Sequence, residues 1–188
     1  MTETPNPHIV DTDTLSGQLR PFRRAVLSLG SNLGDREANI QGAVSSLADT
    51  PDVYLVDRSP VYETAPVDSP VESEDFLNAV LIVDTTLSAD TLLERCLAVE
   101  DAFGRERGER NAPRTLDIDL LVLGDKQVSR DSLTLPHPRA HERAFVLQPW
   151  FDIDPNGEIP GQGRIADLIG GVDAAGVRRR DDVALELP

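Results

Sequence analysis

The order of the apolar segments is the feature of this sequence that most restricts its fold. Between residues 24 and 123 there are four short apolar runs. Two stretches whose apolar residues recur at helical spacing separate the first run from the second and the third from the fourth. Short runs bounded by turn residues indicate buried strands, and the helical spacing indicates amphipathic helices. The resulting order, β-α-β-β-α-β, is that of the ferredoxin-like arrangement, in which helices pack on an antiparallel sheet. We therefore expect an α+β fold.

The boundaries of these elements follow from their local patterns. The predicted strands cover residues 24–29, 53–57, 76–83 and 116–123. Helices are predicted after Asp35 and after Ser88, because short polar side chains accept hydrogen bonds from the free N–H groups of a first helical turn. Residues 131–170 are expected to add shorter elements, including a helix over Ile165–Ile169.

Length and composition predict one main domain. A chain of 188 residues, 39% of them hydrophobic, suits a single compact core. We expect a mobile N-terminal extension over residues 1–22, a domain over 23–170 and a C-terminal tail over 171–188. No apolar run approaches the roughly 20 residues that a membrane span needs, and the first residues lack a secretion signal. The expectation is a cytoplasmic monomer that does not bind membranes.

The distribution of charge is more informative than its total. The chain has 18 Lys and Arg residues against 33 Asp and Glu residues, a net charge of −15. We expect no nucleic-acid binding, because phosphate contacts along a nucleic acid need a basic surface. Four arginines nevertheless cluster within one short segment: Arg105, Arg107, Arg110 and Arg114. Guanidinium groups bind phosphate oxygens bidentately, and the alternative is a solvated loop with internal ion pairs.

The strand that follows these arginines carries two carboxylates. Because side chains alternate between faces, Asp117 and Asp119 point the same way, with Cα atoms about 6.6 Å apart. This spacing suits a pair of bound metal ions, and hard oxygen ligands without a cysteine cluster favour Mg²⁺. The alternative is an ordinary strand with one solvated face. A ligand that needs both metal ions and arginines would be a polyphosphate.

Two further pairs of residues suggest binding. Phe76 and Asn78 lie two apart in a predicted strand, and an aromatic face beside an amide suits a flat heterocycle. A purely structural hydrogen bond from Asn78 is equally compatible with this pattern. His137 and His141 have the i, i+4 spacing of helical zinc sites, but the flanking prolines disfavour a helix there. We favour hydrogen bonds from His137 and Arg143 to a nucleotide.

Five segments, taken together and in this order, resemble the 6-hydroxymethyl-7,8-dihydropterin pyrophosphokinase family. They are LSLGSNLGDREANI, SPVYETAPV, DFLNAVL, PRTLDIDLL and LPHPRAHERAF, and the resemblance covers residues 24–155. It implies a ferredoxin-like βαββαβ core with a mainly antiparallel sheet, enlarged to a three-layer α-β-α sandwich. It also implies transfer of the terminal diphosphate of ATP to the 6-hydroxymethyl group of the dihydropterin, with release of AMP, in folate biosynthesis. ATP would be the co-substrate and two Mg²⁺ ions the cofactors.

The resemblance also implies roles for individual residues. Asp117 and Asp119 match the pair that holds the two Mg²⁺ ions, and Arg105 and Arg114 match the arginines that steady the transferring group. The implied ATP-binding residues are Glu100, Arg107, Arg110, Arg114, Ile118, Thr134, His137 and Arg143. The implied pterin-binding residues are Thr64, Ala65, Val67, Phe76, Asn78, Arg143 and Phe145, with the two phenylalanines stacking on the ring.

Two other classes of function stay open at this point. A metal-dependent nucleotidyltransferase of the same fold would use a similar carboxylate pair but would release pyrophosphate from ATP. A non-catalytic module that binds a small molecule would not need the aspartate pair to bind its ligand. Product analysis separates the first from a pyrophosphokinase, and binding measurements on aspartate variants separate the second.

Overall fold

A computed structural model describes residues 9–11, 19–66, 72, 74–105 and 112–188. In chain order its elements are β1 (Ile9–Asp11), β2 (Leu19–Pro21), β3 (Arg23–Ser31), α1 (Arg36–Ala48), β4 (Val53–Arg58), β5 (Tyr62–Thr64), β6 (Phe76–Thr85), α2 (Ala89–Ala102), β7 (Asp117–Leu123), β8 (Val128–Arg130), β9 (Leu133–Leu135), a 3-10 helix (Ala140–Glu142), α3 (Ala144–Ile153), β10 (Glu158–Ile159), β11 (Gly163–Arg164), α4 (Ile165–Leu168), a second 3-10 helix (Ile169–Gly171) and β12 (Val177–Arg179). None of the helices in these ranges is long and apolar enough to cross a membrane.

One six-stranded sheet organises the fold. Five of its strands lie in the order β12-β5-β6-β3-β7, and β4 shares with β5 the edge of β6 that faces away from β3. Every pairing in this sheet is antiparallel, which confirms the predicted mainly antiparallel sheet. The four predicted strands correspond to β3, β4, β6 and β7.

Alternation along the strands produces two separate apolar clusters. Leu27 and Leu29 of β3 belong to a cluster that includes the buried apolar residues of α1 and α2. Val26, the neighbour of Leu27, belongs to a second cluster that includes Leu147 and Trp150 of α3. Because adjacent residues of a strand point to opposite faces, the two clusters cover opposite faces of the sheet.

The two long helices begin at the predicted capping residues. The Asp35 carboxylate accepts a hydrogen bond from the Ala38 N–H at 3.0 Å, and the Ser88 hydroxyl accepts one from the Thr91 N–H at 3.2 Å. Each cap therefore satisfies a free donor of the first turn. The helix predicted over Ile165–Ile169 is present as α4, which continues directly into a 3-10 turn.

Both segments predicted to flank the domain contain strands. In the N-terminal extension β1 pairs with β2, and the remaining residues before position 19 lie outside the described part of the chain. Within the predicted C-terminal tail, β12 pairs with β5 and becomes an edge strand of the central sheet. The sheet therefore extends beyond residue 170.

A buried carboxylate holds this edge strand in place. Glu63 of β5 is 7% exposed and accepts hydrogen bonds from three arginines. Arg36 of α1 donates at 2.9 Å, Arg180 donates at 3.2 Å and Arg178 of β12 makes a close contact with the same carboxylate. The cluster links α1, β5 and the C-terminal segment through charge-assisted hydrogen bonds, which are stronger than neutral ones.

We expect Glu63→Gln to lower the free energy of unfolding at neutral pH by about 1–2 kcal/mol, because the amide keeps the shape but loses the charge. Burial alone would raise the pKa of Glu63, but the hydrogen bonds from Arg178 and Arg36 outweigh it and hold the pKa below its ordinary value. A carboxyl group whose pKa is lowered by folding stabilises the protein above its unfolded pKa, and this contribution is lost as the pH falls through the folded pKa.

Urea unfolding of both proteins at several pH values tests this. The difference in unfolding free energy should be fully present at pH 7 and should shrink as the pH falls below the ordinary glutamate value of 4.5. Glu94→Gln, on an exposed position of α2, is the matched control and should behave like the wild type. A difference that stays constant down to pH 2 would contradict the assignment.

Candidate active site

The register of the sheet places the candidate residues on one face. Gly30 of β3 lies opposite Asn78 of β6 on one side and opposite Asp117 of β7 on the other. Two residues away, Ser28 lies opposite Asp119. Directly opposed residues of antiparallel strands project to the same face of the sheet. The amide and both carboxylates therefore share a surface whose centre carries only a glycine and a serine.

A cleft of about 750 Å³ lies on this face of the sheet. The predicted site residues that line it are Thr64, Ala65, Phe76, Asn78, Arg114, Asp117, Asp119, Arg143 and Phe145. Residues that were not predicted also line it, namely Ser28, Gly30, Pro66, Arg139, Glu142, Ala144, Asp173, Gly176 and Val177. The predicted carboxylate pair and the predicted aromatic pair thus meet in a single cavity.

Each carboxylate of the pair forms an ion pair with at least one arginine. The Asp117 carboxylate accepts a hydrogen bond from Arg114 at 2.9 Å and lies 2.8 Å from Arg105. Asp119 lies 3.2 Å from the Arg143 guanidinium. Burial, with the nearby negative charge of Asp117 as a second cause, raises the pKa of Asp119. An additional nearby cation would stabilise the ionised form of such a carboxylate.

The donor set fits a Mg²⁺ ion that arrives with a polyphosphate. Among residues 9–11, 19–66, 72, 74–105 and 112–188, no group of three or more His, Cys, Asp or Glu side chains is placed to hold a metal ion alone. Mg²⁺ bound with nucleotides commonly takes one or two protein carboxylates and completes its octahedron with phosphate oxygens and water. Asp117 and Asp119 supply that number of carboxylates.

His137 adjoins this pair, and His141 does not. The Nδ1 atom of His137 accepts the Arg139 N–H at 3.2 Å, and its Nε2 atom lies 3.9 Å from the Asp119 carboxylate. Burial lowers the pKa of His137. His141 instead places its Nε2 atom 3.6 Å from Glu142. The two histidines face different carboxylates, which does not favour a shared zinc ion.

Glu100 lies fully buried near the end of α2, behind the carboxylate pair. One oxygen accepts the Ile118 N–H at 2.7 Å and makes a close ion pair with Arg105, which also contacts Asp117. Burial raises the pKa of Glu100. The other oxygen, Oε2, has no hydrogen-bond partner in the described part of the chain. An unpaired buried acceptor of this kind costs free energy.

Asn78 combines a structural bond with a position on the cleft. Its Nδ2 atom donates to the Thr64 hydroxyl at 2.8 Å, which is a structural hydrogen bond of the kind that the sequence left open. The same side chain lines the cleft beside Phe76. Across the cavity, the Arg143 guanidinium lies 5.5 Å from the centre of the Phe145 ring, in cation–π contact.

The remaining predicted residues are placed as follows. Thr134 is exposed on β9, with its hydroxyl 3.5 Å from the Arg130 carbonyl, and does not line the cleft. Four further predicted residues do not line the cleft but lie next to the two aspartates. They are Arg105, Glu100, Ile118 and His137. Val67, Arg107 and Arg110 lie outside the described residues, so their roles stay predictions.

Asn32 is a residue that sequence reasoning missed. Its Oδ1 atom accepts the Arg114 N–H at 2.8 Å, and its own N–H donates to the Arg114 carbonyl at 3.1 Å. Its Nδ2 atom donates to the Glu74 carbonyl at 3.4 Å. This side chain therefore fixes the backbone that presents Arg114 to the cleft. The available signal was an asparagine directly after a buried strand, in the turn GSNLGD.

Comparisons with known proteins point to one family. A family model described as 7,8-dihydro-6-hydroxymethylpterin-pyrophosphokinase (HPPK) matches residues 26–155. The 2-amino-4-hydroxy-6-hydroxymethyldihydropteridine pyrophosphokinase of Methylorubrum extorquens is 44% identical over 156 residues, which cover 83% of this chain and 98% of that protein. The protein of the same name from Mycobacterium leprae is 46% identical over 152 residues, which cover 75% of this chain and 77% of the relative.

Solved structures share the fold. A Plasmodium falciparum HPPK-DHPS chain gives a TM-score of 0.63 at 14% identity, over 81% of this chain and 46% of that one. An HPPK-DHPS structure in complex with substrates gives 0.61 at 15% identity, over 80% and 43%. This chain spans less than half of those longer chains, and at such identity the likeness concerns the fold alone. The family model covers more than half of the sequence, and together with the close relatives it shows that this chain belongs to the 7,8-dihydro-6-hydroxymethylpterin-pyrophosphokinase family.

Proposed function

We propose that this pyrophosphokinase transfers the terminal diphosphate of ATP to the hydroxymethyl oxygen of 6-hydroxymethyl-7,8-dihydropterin and releases AMP, as a step of folate biosynthesis. The observation that carries the proposal is a single cleft lined by a carboxylate pair, arginines, two phenylalanines and a buried amide. A polyphosphate needs the charged groups, and a flat heterocycle needs the aromatic groups and the amide. The curated relatives named for this pterin support the same assignment.

The transfer itself is governed by position and charge. The pterin hydroxyl oxygen attacks the β-phosphorus of ATP, the bond from that phosphorus to the oxygen retained by AMP breaks, and the hydroxyl proton is released to solvent. Charge spreads over the phosphoryl oxygens in the loose transition state, so positioning and electrostatic stabilisation dominate catalysis. Arg114 and Arg143 both line the cleft and supply fixed positive charge to those oxygens. Arg105, paired with Asp117, adds a third guanidinium beside them.

Asp117 and Asp119 would hold two Mg²⁺ ions, which when bound neutralise phosphate charge and lower the pKa of the attacking hydroxyl. Their pairing with Arg114 and Arg143 orients the aspartates toward the cleft before ATP binds. The arginines can then exchange carboxylate oxygens for phosphate oxygens, because the guanidinium fork fits both groups.

The two ends of the cleft would bind different parts of the substrates. At the pterin end, Phe76 and Phe145 would stack on the ring, and Asn78 would bind its edge beside the backbone of Thr64, Ala65 and Val67. On the nucleotide side, Glu100 would act from its buried position behind the carboxylates, where it accepts the Ile118 N–H and pairs with Arg105. The other residues proposed to contact ATP are Arg107, Arg110, Arg114, Ile118, Thr134, His137 and Arg143.

For the architecture in detail, we propose a ferredoxin-like core enlarged to a three-layer α-β-α sandwich. The order β4-β6-β3-β7 of the core strands and the two apolar clusters on opposite faces support this. We extend the domain proposed over residues 23–170 to include β12. The N-terminal extension, the monomeric state and the cytoplasmic location remain part of the proposal.

The nature of the nucleotide product tests the proposed function. Incubation with ATP, Mg²⁺ and the reduced hydroxymethylpterin should yield AMP and the pterin diphosphate in equal amounts, resolved by anion-exchange chromatography. Omission of Mg²⁺ with EDTA present should abolish turnover. Formation of ADP, or of free pyrophosphate with a nucleotidylated pterin, would contradict the proposal. Tight binding of both substrates without product would instead indicate a binding module.

A further inference from the structure

We infer that the C-terminal wall, defined here as residues 173–177, closes the pterin end of the cleft and that Val177 contacts the bound heterocycle. The inference rests on the proposed function, because it assigns a place to the pterin. Asp173, Gly176 and Val177 line the same cleft as the carboxylates and the phenylalanines. The match to the family model ends at residue 155, before the C-terminal wall begins.

The register of the sheet aligns Val177 with the pterin-binding residues. Val177 of β12 lies opposite Thr64 of β5, and Thr64 lies opposite Phe76 of β6. The three side chains therefore project to one face in a single row across three strands. With neighbouring strands about 4.8 Å apart, Val177 lies about 10 Å from Phe76, with Thr64 between them. A flat ring that stacks on Phe76 and extends across Thr64 toward β12 reaches Val177.

Hydrogen bonds hold the C-terminal wall in one shape. The Asp173 carboxylate accepts the Ala175 N–H at 2.9 Å, and the Val177 N–H donates to the Ala174 carbonyl at 2.9 Å. These two bonds fold residues 173–177 into a turn that leads directly into β12.

The chain that follows is anchored at further points. The Arg180 N–H donates to the Val61 carbonyl at 2.8 Å, and Arg178 and Arg180 both bind the buried Glu63 carboxylate. Near the end of the chain, Gln41 of α1 donates to the Glu186 carbonyl at 3.0 Å and accepts the Glu186 N–H at 2.8 Å. Residues 173–177 are therefore a supported part of the cleft and not a loose tail.

The chemistry of this wall favours the heterocycle over the phosphates. Strands β12 and β7 lie at opposite ends of the five-strand order, so the wall is separated from Asp117 and Asp119 by the width of three strands. Val177 offers an apolar, half-buried side chain, and Asp173 offers a negative charge that repels phosphate. Apolar contact of this kind distinguishes ligands that differ in shape at the pterin ring.

Gly176→Leu tests the assignment with little risk to folding. A β-carbon at Gly176 would meet no atom within 4 Å, and its backbone lies outside the left-handed region. The leucine should narrow the cleft and raise KM for the pterin by about 10-fold, with less than about a 2-fold change in KM for ATP. Gly171→Leu is the matched control, because its β-carbon also meets no atom within 4 Å and it does not line the cleft.

A second variant and a direct binding measurement complete the test. Val177→Ala should weaken pterin binding by about 3-fold, measured by calorimetry in the presence of α,β-methylene-ATP and Mg²⁺. Thermal unfolding of all three variants should match the wild type. Equal KM values for the pterin in Gly176→Leu and Gly171→Leu, or an equal rise in both substrate KM values, would overturn the inference while wild-type AMP release stands. Absence of AMP release by the wild type would instead overturn the proposed function.

Discussion

Asp117→Asn and Asp119→Asn are each expected to lower kcat for AMP release by about 10³-fold, equal to about 4 kcal/mol of transition-state stabilisation. Both carboxylates line the cleft, and neither belongs to an apolar cluster. The amide preserves the shape of the side chain but removes the negative charge that is proposed to bind a divalent cation. The loss should therefore appear in the chemical step.

The fold of both variants should persist. Asp119 is an unfavourable place for a charge, since burial and the neighbouring Asp117 raise its pKa. A neutral amide there relieves this cost, so we expect Asp119→Asn to unfold at a temperature no lower than that of the wild type. A loss of activity together with retained stability assigns the carboxylate to function.

The matched control is Asp84→Asn. Asp84 also lies in the central sheet and also pairs with an arginine, Arg24, at 3.1 Å, but it does not line the cleft. Its amide variant should keep wild-type turnover. The measurement is the initial rate of AMP release as a function of Mg²⁺ concentration. Near-normal turnover of either Asp117→Asn or Asp119→Asn at saturating Mg²⁺ would refute the metal assignment.

Local patterns were sufficient for the parts of the fold that local forces decide. Asp117 and Asp119 share a face because side chains alternate along any strand, and no tertiary information is needed for that conclusion. The same holds for the starts of α1 and α2, where Asp35 and Ser88 bond to N–H groups three residues later. The hydrophobic periodicity of long amphipathic or apolar segments of this kind is enough to predict their secondary structure.

The assembly of the site could not be predicted in the same way. Gly30, Asn78 and Asp117 meet only because three strands, distant in sequence, adopt one register. Strands β5 and β12 have three residues each, too few to show a period, and β12 gains its place from the ion pairs with Glu63. Helix α3 contains Pro149, which weakens the helical signal even though Trp150 beside it is buried.

Arg114→Ala is expected to lower kcat by about 10²-fold, because the transferring diphosphate loses a fixed positive charge in the cleft. The effect should come from the side chain alone. The backbone of Arg114 is held by two hydrogen bonds to Asn32, and both survive the substitution. Arg114→Lys should recover part of the rate, since the charge returns without the bidentate fork.

Arg130→Ala is the matched control for this variant. Arg130 also pairs with a single aspartate, Asp90, through bonds of 2.9 and 3.0 Å, but it is exposed and does not line the cleft. Its loss should leave turnover unchanged. The double variant of Arg114→Ala with Asp117→Asn then separates two roles for Arg114. If the guanidinium binds phosphate, the double variant should be slower than Asp117→Asn by a further factor of about 10. If the guanidinium only orients Asp117, the double variant will be no slower, and Arg114 becomes a positioning residue for that carboxylate.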